Sequence, residues 1–169
     1  RNTLLALMEL RVICIVNEND VVAVEEIEGS SFGDNDQLSA MVANLVDADL
    51  LVILSDIAGL YTADPHHNPS ARFIPRVERI DEAIERLGGG SVSGRGTGGM
   101  ATKLEAAKLA TASGIAVVIT QGREPRVLER LVDGEAIGTF FAPSATRRES
   151  RERWLLSGLC CAGQLVVDE

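Results

Sequence analysis

Aromatic side chains are scarce in this chain, 4% of its 169 residues, with one Trp and one Tyr. A surface that stacks single-stranded bases needs several such rings, so that class of binder is disfavoured. Positive charge is also in deficit. The 16 Lys and Arg stand against 25 Asp and Glu, a formal net charge of -9, and phosphate backbones need a basic face. No nucleic-acid partner is therefore expected, although one small site can still be locally basic. Cysteine is limited to Cys14, Cys160 and Cys161. Cys160 and Cys161 are adjacent, which is poor geometry for pairing, and Cys14 lies in the apolar run Val12 to Val16, where it reads as a small buried hydrophobe. No disulfide framework results, which fits a reducing cytoplasm. No run approaches the ~18 apolar residues of a membrane span, and no signal-peptide pattern is visible, so no membrane partner is expected.

What the chain has is an ordinary globular composition, 46% hydrophobic and 24% charged, at a length that fits one domain with a real core. Short apolar runs alternate with amphipathic stretches. Val12 to Val16, Leu50 to Leu54 and Ile115 to Ile119 read as buried strands, with Val21 to Val24, Gly138 to Phe141 and Leu165 to Val167 as shorter candidates. Leu38, Met41, Val42, Leu45 and Val46 fall on one helix face behind the capping side chains of Gly33 to Asp36. Ile80, Ala83, Ile84 and Leu87 predict a short helix stopped by Gly88 to Gly90. Pro125 suits the first turn of another helix, with Val127, Leu128, Leu131 and Val132 on its buried side. The mixed-sign stretch Arg147 to Arg153 predicts a solvated helix face. Strands alternating with helices imply an α/β fold whose mainly parallel sheet is covered on both faces. Polar residues gather where three strands end, at Asn17 to Asp20, Ser55-Asp56 and Thr120 to Gly122. Ligands bind beyond the carboxyl ends of strands in such sheets.

The densest chemical signal is Ser93-Gly94-Arg95-Gly96-Thr97-Gly98-Gly99, which opens into a helical stretch, Met100 to Ala112, carrying Lys103 in its first turn. Glycines permit close backbone approach, the first amides of a helix favour an anion, and a lysine adds a full charge. The pattern matches G-x-G-x-x-G literally, but no apolar strand enters it and no acidic residue stands about 20 residues on, so its context disfavours a dinucleotide fingerprint. Met100, Ala101 and Thr102 separate Lys103 from the last glycine, which excludes a Walker A loop. His66 and His67 lie in an exposed connection without ligand partners nearby in sequence, and Asp64 before Pro65 reads as turn chemistry.

Four motifs occur in order: Asn17-Glu18-Asn19-Asp20; Gly33-Asp34-Asn35-Asp36; Ser55-Asp56 followed by Gly59-Leu60-Tyr61-Thr62-Ala63-Asp64-Pro65; and Gly96-Thr97-Gly98-Gly99-Met100-Ala101-Thr102-Lys103. Together they resemble the amino-acid kinase superfamily, in particular its branch acting on glutamate. The resemblance implies a three-layer αβα sandwich and transfer of the ATP γ-phosphate to the glutamate side-chain carboxylate. It implies glutamate binding by Asp20 and Asn35, and nucleotide binding by Ser55, Asp56, Thr97, Gly98, Gly99, Met100, Ala101, Thr102 and Lys103. In this picture Lys103 neutralises phosphate charge, Asp36 orients the lysines around the reacting group, and Mg2+ arrives with ATP, held mainly by its phosphates. The loop around Asp64 borders the nucleotide in that family.

The resemblance further implies a homo-oligomeric intact protein. Residues 1–145 are expected to form the C-terminal, nucleotide-binding portion of such a domain, and 146–169 a tail leading towards a further one. The family's first strand-loop, with a second phosphate-binding lysine and a substrate-binding serine, is expected upstream of Arg1. The chain alone is accordingly expected to be inactive. Sister activities on acetylglutamate, aspartate, carbamate or UMP remain open, as does a non-catalytic nucleotide-binding module.

Overall fold

The computed structural model describes residues 1–17, 35–89 and 99–144. The expectations for Asp20, Val21 to Val24, Thr97, Gly98, Arg147 to Arg153, Cys160, Cys161 and Leu165 to Val167 fall outside these residues.

Helix α1 (Asn2–Glu9) buries none of its side chains. Beyond it the chain departs from expectation, because Val12 to Val16 forms no strand and Ile13 and Ile15 are 90% and 94% exposed. Cys14, expected to be buried, is only partly so. An apolar run has the propensity for a strand, but burial on both faces also requires a ladder partner and covering layers. Among the described residues none pairs with this run.

Helix α2 (Asn35–Leu45) forms where the periodicity predicts it, yet the face it buries differs. Ala40 and Ala43 are buried, whereas Met41 and Leu45 are substantially exposed. The cause is its neighbour, α4 (Met100–Ala112), which presents the equally small Ala106, Ala107 and Ala110 to the same core. Small side chains let two helices approach closely, and α2 packs directly on α4.

The sheet contains β1 (Leu50–Ser55), β2 (Arg76–Val77), β3 (Ala116–Gln121) and β4 (Thr139–Phe141), in the order β1-β3-β4-β2. The β1–β3 and β2–β4 pairs are parallel and β3–β4 is antiparallel, so the sheet is mixed with mainly parallel pairing. One apolar row, Leu51, Val117, Phe141 and Val77, crosses all four strands in register. All four residues belong to the core beneath α2 and α4. Strand β3 is buried on both faces as expected, but β1, at the end of the sheet among the described residues, alternates, with Leu51 and Ile53 buried and Leu50 and Leu54 exposed.

Helix α3 (Glu82–Leu87) starts at Asp81, whose carboxylate accepts the Ile84 amide at 3.0 Å, the usual N-cap bond. Helix α5 (Val127–Val132) begins two residues after Pro125, with Arg126 in a left-handed conformation as its N-cap. Of its predicted buried side only Val127 is buried, and Leu128 and Val132 are exposed. Six residues give under two turns, too short for α5 to seat a whole apolar stripe.

Candidate functional site

Two helix starts and two strand ends meet at this site. Asp36 stands in the first turn of α2, and Thr102 and Lys103 in the first turn of α4. Packing of the two helices brings Lys103 Nζ to 2.9 Å from Asp36 Oδ2, with both side chains only 15% exposed. Thr102 Oγ1 lies 2.9 Å from the same carboxylate oxygen and 2.9 Å from the Gly99 carbonyl. Gly99 is the N-cap of α4 and offers no side-chain cap, so the first amides of that helix form a locally positive end. One further bond ties the helices, from Gln37 Nε2 to Glu105 Oε2 at 3.0 Å.

The strand ends are joined in the same way. Ser55 closes β1, and its hydroxyl donates to Asp56 Oδ1 at 3.1 Å. The Gly122 amide, just past β3, donates to the Ser55 carbonyl at 2.8 Å, and Gln121 Nε2 donates to the Asp56 carbonyl at 3.3 Å. The parallel β1–β3 register makes these two carboxyl ends neighbours.

Between these groups lies a half-open cleft of about 330 Å³. Of the predicted residues, Ser55, Asp56, Gly99, Met100 and Lys103 line it. Ala101 and Thr102 occupy the first turn of α4 beside it, and Asn35 and Asp36 open α2, with Asn35 exposed. The remaining walls are ones sequence reasoning did not assign residue by residue. One is the excursion after β1, through Ile57, Leu60, Tyr61, Asp64 and His66; the other is the end of α3 at Leu87 to Gly89. For the excursion the resemblance already pointed to the loop around Asp64 as bordering the nucleotide, and position agrees, because a Gly-Leu-Tyr segment directly after a strand end sits where such sheets bind ligands.

That excursion is an ordered hairpin. Tyr61 and Phe73 form an isolated antiparallel bridge, with their rings edge to face at 5.4 Å. At its tip Asp64 accepts the His66 amide at 2.8 Å, the turn expected before Pro65, and pairs with His67 Nδ1 at 2.6 Å. The His67 side chain, followed by the His66 amide, holds the Asp64 carboxyl below its ordinary value.

Chemically, the cleft offers an ammonium and helix amides at one wall, two carboxylates at Asp56 and Asp64, and an apolar, aromatic remainder. Such a site suits a ligand with an anionic part and a flat, largely apolar part.

The amino acid kinase family profile matches residues 1–121, and the chain belongs to that family. Among its relatives, the glutamate 5-kinase of Dehalococcoides mccartyi (strain ATCC BAA-2266 / KCTC 15142 / 195) is 59% identical over 169 residues, 100% of this chain and 45% of that protein. The glutamate 5-kinase of Herpetosiphon aurantiacus is 56% identical over 168 residues, 99% of this chain and 45% of that protein. The chain thus spans less than half the length of these curated relatives. The crystal structure of UMP kinase from Bacillus anthracis superposes with a TM-score of 0.51 at 23% identity, covering 70% of this chain and 44% of that one. That likeness establishes the α/β fold. No helix among the described residues is long and apolar enough to cross a membrane.

Proposed function

We propose that the whole protein is a glutamate 5-kinase, which transfers the γ-phosphoryl group of ATP to the side-chain carboxylate of L-glutamate. A carboxylate oxygen bonds to the γ-phosphorus, the bond from that phosphorus to the β–γ bridging oxygen breaks, and ADP leaves with the electron pair. The product is glutamyl 5-phosphate, the first intermediate on the route from glutamate to proline. The observation that carries this reading is the Asp36–Lys103 pair at the opening of α2 and α4, beside a cleft that Lys103 lines. Phosphoryl transfer relies on positioning and on stabilising charge, and a lysine fixed by a carboxylate at a helix start supplies both.

In this reading Ser55, Asp56 and the run Thr97 to Lys103 hold the nucleotide. Lys103 neutralises the transferring phosphoryl group, Asp36 aims that lysine, and Asp20 and Asn35 hold glutamate. Among the described residues no three His, Cys, Asp or Glu side chains converge as a metal cage. Asp56, at the exit of β1, is a cleft carboxylate outside the hairpin tip, a donor that fits Mg2+ carried mainly on the nucleotide phosphates. Bound there, the ion would neutralise phosphate charge. We assign residues 1–145 to the kinase domain, residues 146–169 to a tail that follows it, a homo-oligomeric state to the whole protein, and the cytoplasm as its location.

The test is a coupled assay of ADP release by the full-length protein, with glutamate, acetylglutamate and aspartate in parallel. Turnover with glutamate is the expected result, and its absence refutes the assignment. Calorimetry with ATP adds a check on one residue: Lys103→Ala should weaken binding strongly, and equal affinity would remove that lysine from the site.

A further inference from the structure

The row of core residues formed by Ile53, Ile119 and Thr139 contains one hydroxyl. Thr139 is fully buried, and a hydroxyl placed there must be satisfied internally. It is satisfied twice, and both partners belong to the hairpin that walls the cleft. The Leu60 amide donates to Thr139 Oγ1 at 2.8 Å, and Thr139 Oγ1 donates to the Ile74 carbonyl at 2.6 Å. Leu60 and Ile74 face each other at the hairpin base, where the Ile74 amide donates directly to the Leu60 carbonyl at 2.9 Å. In an ordinary hydrogen-bonded pair both rungs are direct. Here the second rung passes through the threonine hydroxyl. Gly59 makes room for it: a Cβ at that position would sit 2.5 Å from Thr139 Oγ1, and the Gly59 φ of +151° favours glycine.

We propose that Thr139 is a positioning residue for nucleotide binding. Its inserted hydroxyl sets the angle at which the hairpin leaves the sheet, and therefore how Tyr61, Asp64 and His66 face the cleft. Lys103 and the α4 amides suit phosphate, which leaves the apolar and aromatic hairpin wall to the nucleoside. Thr139 thus acts on the nucleoside half of the ligand and leaves the phosphate half alone. This inference rests on the nucleotide reading above.

The experiment measures Kd for ATP and for inorganic tripolyphosphate on the full-length protein, as wild type, Thr139→Val and Thr139→Ser. Loss of one relayed rung should weaken ATP binding about five- to tenfold in the valine variant, with tripolyphosphate changed by less than about twofold. Thr139→Ser keeps the hydroxyl and should bind ATP within about twofold of wild type. Phe141→Leu, on the same strand and core face, is the control for loosened packing and should lower Tm without this split. If the valine variant does not fold, Thr139→Ala carries the same expectation. ATP affinity unchanged on loss of the hydroxyl, equal loss for both ligands, or a serine variant as weak as valine would overturn the inference alone. A wild type that binds neither ligand would overturn the nucleotide reading, and this inference with it.

Discussion

Lys103 Nζ lies 2.9 Å from Asp36 Oδ2, a bridge between two helix starts made by residues 67 apart in the chain. With both side chains 15% exposed, solvent screens the pair only weakly, so it should contribute to stability as well as to ligand binding. A double-mutant cycle of Asp36→Asn and Lys103→Met, followed by urea denaturation, should give a coupling energy of about 1–3 kcal/mol. A coupling near zero would mean that the two groups do not hold each other in solution.

How much of this was legible beforehand depended on the kind of information each feature needs. Helix α4 was readable to its ends, because glycines precede Met100 and the stretch through Ala112 is made of good helix formers. Ser55 and Asp56 were readable as a strand exit. The buried face of α2 was not, because hydrophobic weight singles out Met41 and Leu45, whereas close helix packing selects Ala40 and Ala43. The exposure of Val12 to Val16 was equally hidden, since a ladder partner is a property of the whole sheet. Thr139 looked like any strand threonine; only the return of the chain from Leu60 to Ile74 gives its hydroxyl a role.

The pH response of the hairpin tip follows from Asp64. Its carboxyl is held below the ordinary value, chiefly by the His67 side chain and next by the His66 amide. A depressed folded-state value means that the unfolded chain takes up the proton first as pH falls. The contacts therefore favour the folded tip above the ordinary Asp range and fade as pH drops through the depressed value. A carboxyl NMR titration should place the Asp64 midpoint below that of a free Asp. His67→Gln should raise it part of the way, since the His66 amide remains. An unmoved midpoint in that variant would show that His67 is not the main cause.

Gly138 should tolerate no side chain. Its φ is +77°, and a Cβ there would lie 2.5 Å from the Ile119 carbonyl and 2.7 Å from Thr120 Cβ. Neither neighbour is the free end of a flexible side chain. Gly138→Ala should therefore cost about 2–4 kcal/mol, combining left-handed strain with overpacking. Gly134 has a similar φ of +84° but nothing within 4 Å of its Cβ, so Gly134→Ala should cost about 1–2 kcal/mol from strain alone. Equal losses in chemical denaturation would show that the β3 backbone yields to the added methyl group.

Burial, more than hydrophobicity, should decide which apolar residues hold this chain together. Phe141 is fully buried where the apolar row crosses β4, and its truncation removes a large side chain from the core. Phe141→Ala should cost about 3–5 kcal/mol. Ile15 belongs to an equally apolar run but is 94% exposed, so Ile15→Ala should stay within about 0.5 kcal/mol of wild type. Urea denaturation of the two variants side by side separates the two readings of Val12 to Val16. A loss at Ile15 comparable to that at Phe141 would restore the buried strand that the apolar pattern predicts. A neutral result at Ile15 beside a large loss at Phe141 would place the working core of the described residues in the sheet and its two covering helices.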